Sequence, residues 1–500
     1  MHQKCRFLVN MVVVYLIVAT FLILYWYFTR NFNHWKNKNV PFLKPLPFFG
    51  NVIDGIFMRQ AFGEMFSTLY QKSKEPVLGF FILDKPCLLL RDPEVIKRIL
   101  ITDFQYFFDR NVLNNKRDDP IGTHMLFFLK NPDWKEMRTK ITPVFTSSKM
   151  KAMSNLIENS SNELTNYLST QVERKSVIEM KEVCLKFTVN VITSTAFGVD
   201  SNSFKDDSRF CEEAKRMINW DDFMTAFRIR CYFLAHSVVK IFRLKLFNPI
   251  SIKFLEESFW DIMNSRTNSK SHRNDLIDIL LQLKRDEKNF LDGDLLTSQA
   301  VIFFAAGFET SSSTMGFALH ELACQPEIQT KLRKEIIEIS KQHGGINYDS
   351  LKKMEYLEMC VKETLRKYPV LPALERKSNS RYTIPETGTV IEKDTPVFIS
   401  VMGLQNDPKY FPNPEVFDPE RFSSNNKHLV ENCSYLPFGE GPRNCIGARF
   451  GMMSVKFGLA NIIKNFVVEA TSETKQKIKL NPNGLVLSPQ NGISLKVTRV

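Results

Sequence analysis

Apolar residues are spread unevenly along this chain of 500 residues. From Phe7 to Phe28 the run is almost wholly apolar, broken only by Asn10 and Thr20. As a helix, roughly 20 such residues match the hydrocarbon core of a bilayer. Tyr25, Trp26 and Tyr27 close the run as an interfacial aromatic belt would. Lys4 and Arg6 precede it, whereas Arg30, Lys36, Lys38 and Lys44 follow, a bias that places the body in the cytosol. A cleaved leader would need an apolar run of about 7–15 residues and a small-residue cleavage site. Neither is seen, so residues 1–30 are expected to be an uncleaved membrane anchor.

The pattern then changes. Pro41, Pro45 and Pro47 forbid a helix between Val40 and Gly50 and stiffen the chain there. Residues 31–50 therefore read as a proline-rich hinge. The segments Pro76–Leu83 and Cys87–Leu90 have the apolar, β-like character of a small sheet. Phe104–Phe128 is irregular and rich in Phe; Phe107 and Phe108 could face a pocket or pack in the core. A helix opens at Pro132-Asp133-Trp134, with Trp134 and Arg138 four apart on one face. From Met153 to Arg266 the periodicity is helical. Within it Cys231–Phe247 mixes apolar residues with Lys240, Arg243 and Lys245, which suits a monotopic membrane patch as well as an ordinary packed helix.

A long helix is expected from Leu295, and another from Pro326. Leu357, Cys360, Val361, Thr364 and Leu365 make a buried helical stripe that ends at Tyr368-Pro369. Alternation at Lys477–Leu480 and Gly492–Val497 predicts strands, joined through a turn at Leu487-Ser488. The sum is a mainly α fold with small β-sheets. No linker or repeat interrupts residues 51–500, which read as one catalytic domain.

Composition narrows the picture. A hydrophobic share of 44% supports a large core. Nine scattered cysteines, with no C-x-x-C pair, point to reduced thiols and not to a disulfide framework. The net charge of +13 comes without a basic run or nucleic-acid motif, so a membrane surface or an acidic protein partner explains it better than nucleic acid.

The candidate chemistry centres on Phe438-Gly439-Glu440-Gly441-Pro442-Arg443-Asn444-Cys445-Ile446-Gly447. Its glycines permit tight turns and close approach to a flat partner. Cys445 precedes a helix start, where amide groups and the helix dipole favour a thiolate. One thiolate does not suit a structural zinc or iron–sulfur site, which needs several; it suits one face of haem iron. Upstream stands Ala306-Gly307-Phe308-Glu309-Thr310 on the long helix, where small residues leave room for a flat cofactor and an acid adjoins a hydroxyl. Such a pair can relay protons, and Gly307 with Thr310 also invites a local kink. Glu363 and Arg366 lie three apart, with Arg421 in Pro419-Glu420-Arg421-Phe422 as a third member.

These runs resemble the cytochrome P-450 superfamily. The Cys445 loop carries Phe-x-x-Gly-x-Arg-x-Cys-x-Gly at every fixed position, and the other motifs occur in the family's order. The resemblance implies haem b with Cys445 as axial iron ligand, and Phe438 and Arg443 beside it. It also implies Trp134, Arg138 and Arg376 as partners of the haem propionates, with Glu375 as another possible partner of Arg376. Ala306 and Gly307 would lie against the haem, Glu309 and Thr310 would activate oxygen, and Glu363, Arg366 and Arg421 would form a structural lock. Val370–Leu374 would run over the haem face into the substrate pocket.

No flavin or nicotinamide fingerprint is present, so electrons would come from NADPH through a flavoprotein reductase, with cytochrome b5 a further partner. Lys135, Lys140 and Arg449 are candidates to guide that partner. Thr142-Pro143-Val144-Phe145-Thr146-Ser147 resembles the insect branch that acts on plant toxins and insecticides. The implied protein is a monooxygenase of lipophilic molecules on the cytosolic face of the endoplasmic reticulum. A haem-thiolate isomerase without need of oxygen, and a non-enzymatic haem sensor, stay open as alternatives. The intact Glu309-Thr310 pair argues against the first.

Overall fold

A computed structural model describes residues 2–269, 275–286, 293–474 and 477–500. The N-terminal apolar run forms α1, His2–Thr29, with its side chains exposed from Arg6 to Tyr27. Over Arg6–Asn37 the chain is long and apolar enough to cross a membrane. Below it the chain folds back onto the body. Trp35 is fully buried, its indole donating to the Phe80 carbonyl at 3.3 Å. Phe48 packs against Phe21, Tyr25 and Phe28 of α1 at 5.6–6.3 Å between ring centroids.

The elements that build the site follow in order. Strands β1 (Val77–Ile82) and β2 (Lys85–Leu90) are the expected apolar runs. Helix α2, Asp133–Ile141, carries Trp134 and Arg138. Helix α3 (Ser147–Arg174), the short β3 (Val177–Glu179) and α4 (Met180–Ile192) then lead to α5 (Phe223–Leu234) and α6 (His236–Phe242). Helix α7, Gly293–Cys324, is apolar on nearly every side and runs through the core. Helix α8 (Glu355–Lys367) stops before Pro369, which lacks the amide to continue it. The chain ends with β4 (Ala373–Lys377), β5 (Pro396–Ser400), α9 (Ala448–Asn465), β6 (Phe466–Ala470) and β7 (Ser494–Arg499).

One sheet has the order β1-β2-β5-β4 and a second β3-β7-β6. In the first, β2 runs parallel to β5 with Leu89 opposite Phe398, although about three hundred residues separate them. That pairing brings β4, with Glu375 and Arg376, beside the N-terminal half. The second sheet departs from expectation. Gly492–Val497 shifts to β7, but its partner is Phe466–Ala470, since Val468 opposes Val497. Lys477–Leu480 contributes only an isolated bridge, Leu480 to Pro489. Alternation over four residues could not tell a two-residue contact from a strand.

Candidate active site

The Cys445 loop is wound tightly. Cys445 N donates to the Phe438 carbonyl at 2.8 Å, and Asn444 N to Gly441 at 3.0 Å. Gly441 has φ +73°, and a Cβ there would come within 1.9 Å of the Leu100 carbonyl oxygen, so only glycine fits. Desolvation by the surrounding protein raises the Cys445 thiol pKa, although the residue itself is exposed, and the Gly447 amide and the positive charges of Arg138 and Arg110 oppose that rise. A bound cation would favour the thiolate further.

Facing this loop is the middle of α7. Phe303 stacks on Phe145 at 5.6 Å, and Phe145 lies 4.0 Å from where a Gly447 Cβ would be. One turn on, Ala306 is exposed and Thr310 half-buried, while Phe304, Ala305, Phe308 and Glu309 around them are buried. Ala306 and Cys445 are both exposed, on elements joined through the Phe303–Phe145 stack, which is where a slot between helix and loop would lie. Gly307 serves packing, since a Cβ there would meet Ile192 of α4 at 2.7 Å. The helix passes this point without a break. The Thr310 hydroxyl takes the local route, donating to the Ala306 carbonyl at 2.7 Å.

Glu309 and Thr310, neighbours in sequence, point to different faces, as a step of 100° per residue requires. The Glu309 carboxylate pairs with Lys181 Nζ at 3.1 Å and accepts from Ser313 Oγ at 3.3 Å. Lys181 also donates to Ser312 Oγ at 2.7 Å. In this arrangement the acid turns toward α4 and not to the wall that carries Ala306.

The edge of the slot is strongly basic. Arg443 is buried, with its guanidinium 4.0 Å over the Trp134 ring, Nε donating to Phe108 O and Nη2 to Leu129 O, both at 2.9 Å. Arg376 donates through Nη1 to the Glu375 carbonyl at 2.8 Å. The Glu375 carboxylate is not its partner but that of Arg110, at 3.2 Å. Arg443 Nη1 and Arg376 Nε are buried without a partner among the described residues. Burial, reinforced by mutual repulsion with Arg110, pushes Arg443 down to about 8 and Arg376 to about 9. Such a cluster calls for anions. The donor set fits an iron porphyrin, with a thiol over the metal and unpaired guanidinium groups for the two carboxylates at the ring edge.

Arg138 does something else. It donates to the Asn444 carbonyl and to Asn444 Oδ1, each at 2.8 Å, and so grips the loop one residue before Cys445. Phe107 is fully buried against Tyr382, which settles it as core. Behind the loop, Glu363 and Arg366 are fully buried and joined by two bonds at 2.8 and 2.9 Å. Arg421 lies 3.4 Å from the same carboxylate. Arg366 also donates to the carbonyls of Gln405 and Pro414, tying two further segments to α8.

Residues 40–497 match the family model for cytochrome P450. The chain belongs to the cytochrome P450 family. It is 39% identical to cytochrome P450 6k1 of Blattella germanica, over 96% of this chain and 95% of that one. It is 36% identical to cytochrome P450 6a2 of Drosophila melanogaster, over 98% and 100%, and 36% identical to the probable cytochrome P450 6g2 of the same fly. The fold is accordingly the P450 fold, the activity class is monooxygenase and the cofactor is haem b. The insect relatives match the branch that the sequence resembles. Asp109 and Arg110 escaped the sequence reading. Their one signal was an acid–base pair directly after the Phe107-Phe108 run, in a loop that carries further charges at Lys116–Asp119.

Proposed function

We propose that this P450 inserts one atom of dioxygen into a lipophilic small molecule, with electrons from NADPH delivered by a flavoprotein reductase. What supports the reading is an exposed Cys445 on a tight loop that is linked through Phe145 and Phe303 to the helix carrying Ala306 and Thr310, with unpaired buried guanidinium groups on Arg376 and Arg443. When bound, haem supplies the iron at which dioxygen is activated. The protein's own part is positional. Cys445 would hold the iron through its sulfur, and the amides of its loop would limit the sulfur's basicity. Phe438 packs beside it. Arg376, Arg443 and Arg110, with Trp134, hold the ring carboxylates, while Arg138 keeps the loop closed. The Thr310 hydroxyl is the proton donor nearest the open wall, and Glu309 is a reserve acid that reaches it only after leaving Lys181. Glu363, Arg366 and Arg421 lock the supporting loops.

Residues 1–30 act as the anchor, 31–50 as the connecting segment and 51–500 as the catalytic domain. Exposed Phe223, Met224, Ile241, Phe242 and Ile250 form a second contact with lipid, which shares only Ile241 and Phe242 with the Cys231–Phe247 stretch because Cys231–Leu234 is buried. This attitude suits the cytosolic face of the endoplasmic reticulum. Lys135, Lys140 and Arg449 lie near the thiolate loop and guide the acidic reductase or cytochrome b5; Lys140 is also paired with Glu136 at 2.6 Å. Substrates are plant toxins, insecticides or endogenous lipids.

The test is turnover of a panel of such compounds in membranes with added reductase, NADPH and isotopically labelled dioxygen. Product carrying one labelled oxygen is expected. Rearranged product formed from a peroxide without NADPH would overturn the reading in favour of an isomerase.

A further inference from the structure

Asp109 stands where the segments facing the cofactor meet. Its carbonyl accepts from Lys377 N at 2.8 Å, pinning it to the end of β4. Its amide donates to Asn379 Oδ1 at 3.3 Å, and Asn379 Nδ2 returns a bond to Asp109 Oδ2 at 3.1 Å. The other carboxylate oxygen accepts from Asn131 N at 3.0 Å, just before α2, and lies 3.4 Å from Arg443 Nη2. Arg110 is the next residue, and the Lys130 ammonium caps its carbonyl. One buried acid therefore touches the chain segments that bring in Arg110, Trp134, Arg376 and Arg443.

Charge makes this placement consequential. Three buried guanidinium groups, Arg110, Arg376 and Arg443, share the slot's edge with two carboxylates, Asp109 and Glu375. Glu375 is engaged by Arg110 at 3.2 Å. Asp109 is the carboxylate left to Arg443. At an effective dielectric of about 20 a buried charge acts several-fold more strongly than in water, and salt screens it little.

We propose that Asp109 is a positioning residue that aims Arg443 at the cofactor's carboxylate edge and, as a fixed negative charge there, holds the iron's reduction potential down. The proposal rests on the reading that the arginine cluster holds the cofactor's carboxylates. Reduction of ferric to ferrous iron adds one electron, supplied in the assay by dithionite through mediators. A neighbouring negative charge opposes that gain, so its removal must favour the ferrous form.

The experiment is an optical redox titration of the full-length holoprotein in detergent. Asp109→Asn should raise the ferrous-to-ferric ratio at fixed ambient potential about tenfold, which for one electron is ~59 mV. Asp109→Glu should return the ratio toward wild type. A change below about twofold, in an Asp109→Asn protein that keeps the red-shifted ferrous–carbon monoxide band of thiolate ligation, would overturn the proposal. Should Asp109→Asn fail to take up haem, Asn379→Ala decides. It keeps the charge but removes a donor to it, so the ratio must fall, and a rise or no movement overturns the idea. Arg443→Leu separates the two levels. Unchanged haem retention there would refute the reading of the arginine cluster, whereas faster haem loss beside an unmoved Asp109→Asn potential would refute the role of Asp109 alone.

Discussion

The cofactor side and the roof of this P450 bury charge in opposite ways. Around the Cys445 loop most buried charges meet opposite charges, Glu363 with Arg366 and Arg421, Asp109 with Arg443 and Glu375 with Arg110, and Arg376 is the exception. In the roof they stand alone. Arg230 of α5 is buried with no carboxylate against it among the described residues. It donates to the carbonyls of Gly55, Gln60 and Pro482, which belong to separate parts of the chain. Burial pushes it down to about 10. Two residues on, the Tyr232 hydroxyl donates to Asp119 at 2.6 Å, and among the described residues Asp119 otherwise accepts from the amides of Leu246 and Gly122. Paired charges resist change, because losing one partner leaves the other buried and uncompensated. Neutral dipoles around a lone charge can be exchanged one at a time. The difference teaches that the roof can vary with substrate while the cofactor side cannot.

Substitutions can break that contrast or sharpen it. The largest effect is expected for Cys445→Ala. The red-shifted ferrous–carbon monoxide band should vanish entirely, and a normal band would remove the cofactor side from the comparison altogether. Next comes Glu363→Gln, which strands Arg366 and Arg421 and should cost about 3–5 kcal/mol in urea unfolding followed by the haem absorbance. A loss below 1 kcal/mol would mean that pairing is not what stiffens this side.

Acid should find the roof first. His236 at the start of α6 has Nε2 buried without a partner among the described residues, and burial, aided by Lys85 and Lys130, lowers it to about 4. Between about pH 6.5 and pH 4 the unfolded chain binds this proton and the folded one does not. Stability is therefore complete above about 6.5 and falls with pH by up to about 3 kcal/mol, at 1.36 kcal/mol per unit. His236→Gln should flatten that part of the pH–stability curve; an unchanged slope would place acid sensitivity elsewhere. The smallest effect belongs to Tyr232→Phe. Asp119 keeps its two amide donors, so about 1–2 kcal/mol is expected from thermal unfolding. A loss as large as that of Glu363→Gln would erase the distinction between the two sides.

Short-range rules made much of this legible in the sequence. Three prolines, two sheet runs, the α8 stripe and the spacing from Phe438 to Gly447 act within about ten residues, and the structure keeps each as a local unit. The P450 fold was therefore readable from one chain, and the same local spacing singles out Cys445 as the candidate ligand. What each polar group touches was not. The tertiary structure turned Glu309 toward Lys181, sent Arg138 to Asn444, gave Gly307 to Ile192 and joined the Glu375 carboxylate to Arg110. It also paired β7 with Phe466–Ala470 where Lys477–Leu480 looked equally suitable. Each of these choices depends on which distant segment arrives at a given helix face or strand edge. That is decided by packing and by the cost of burying an unpaired charge, and neither is written in local spacing.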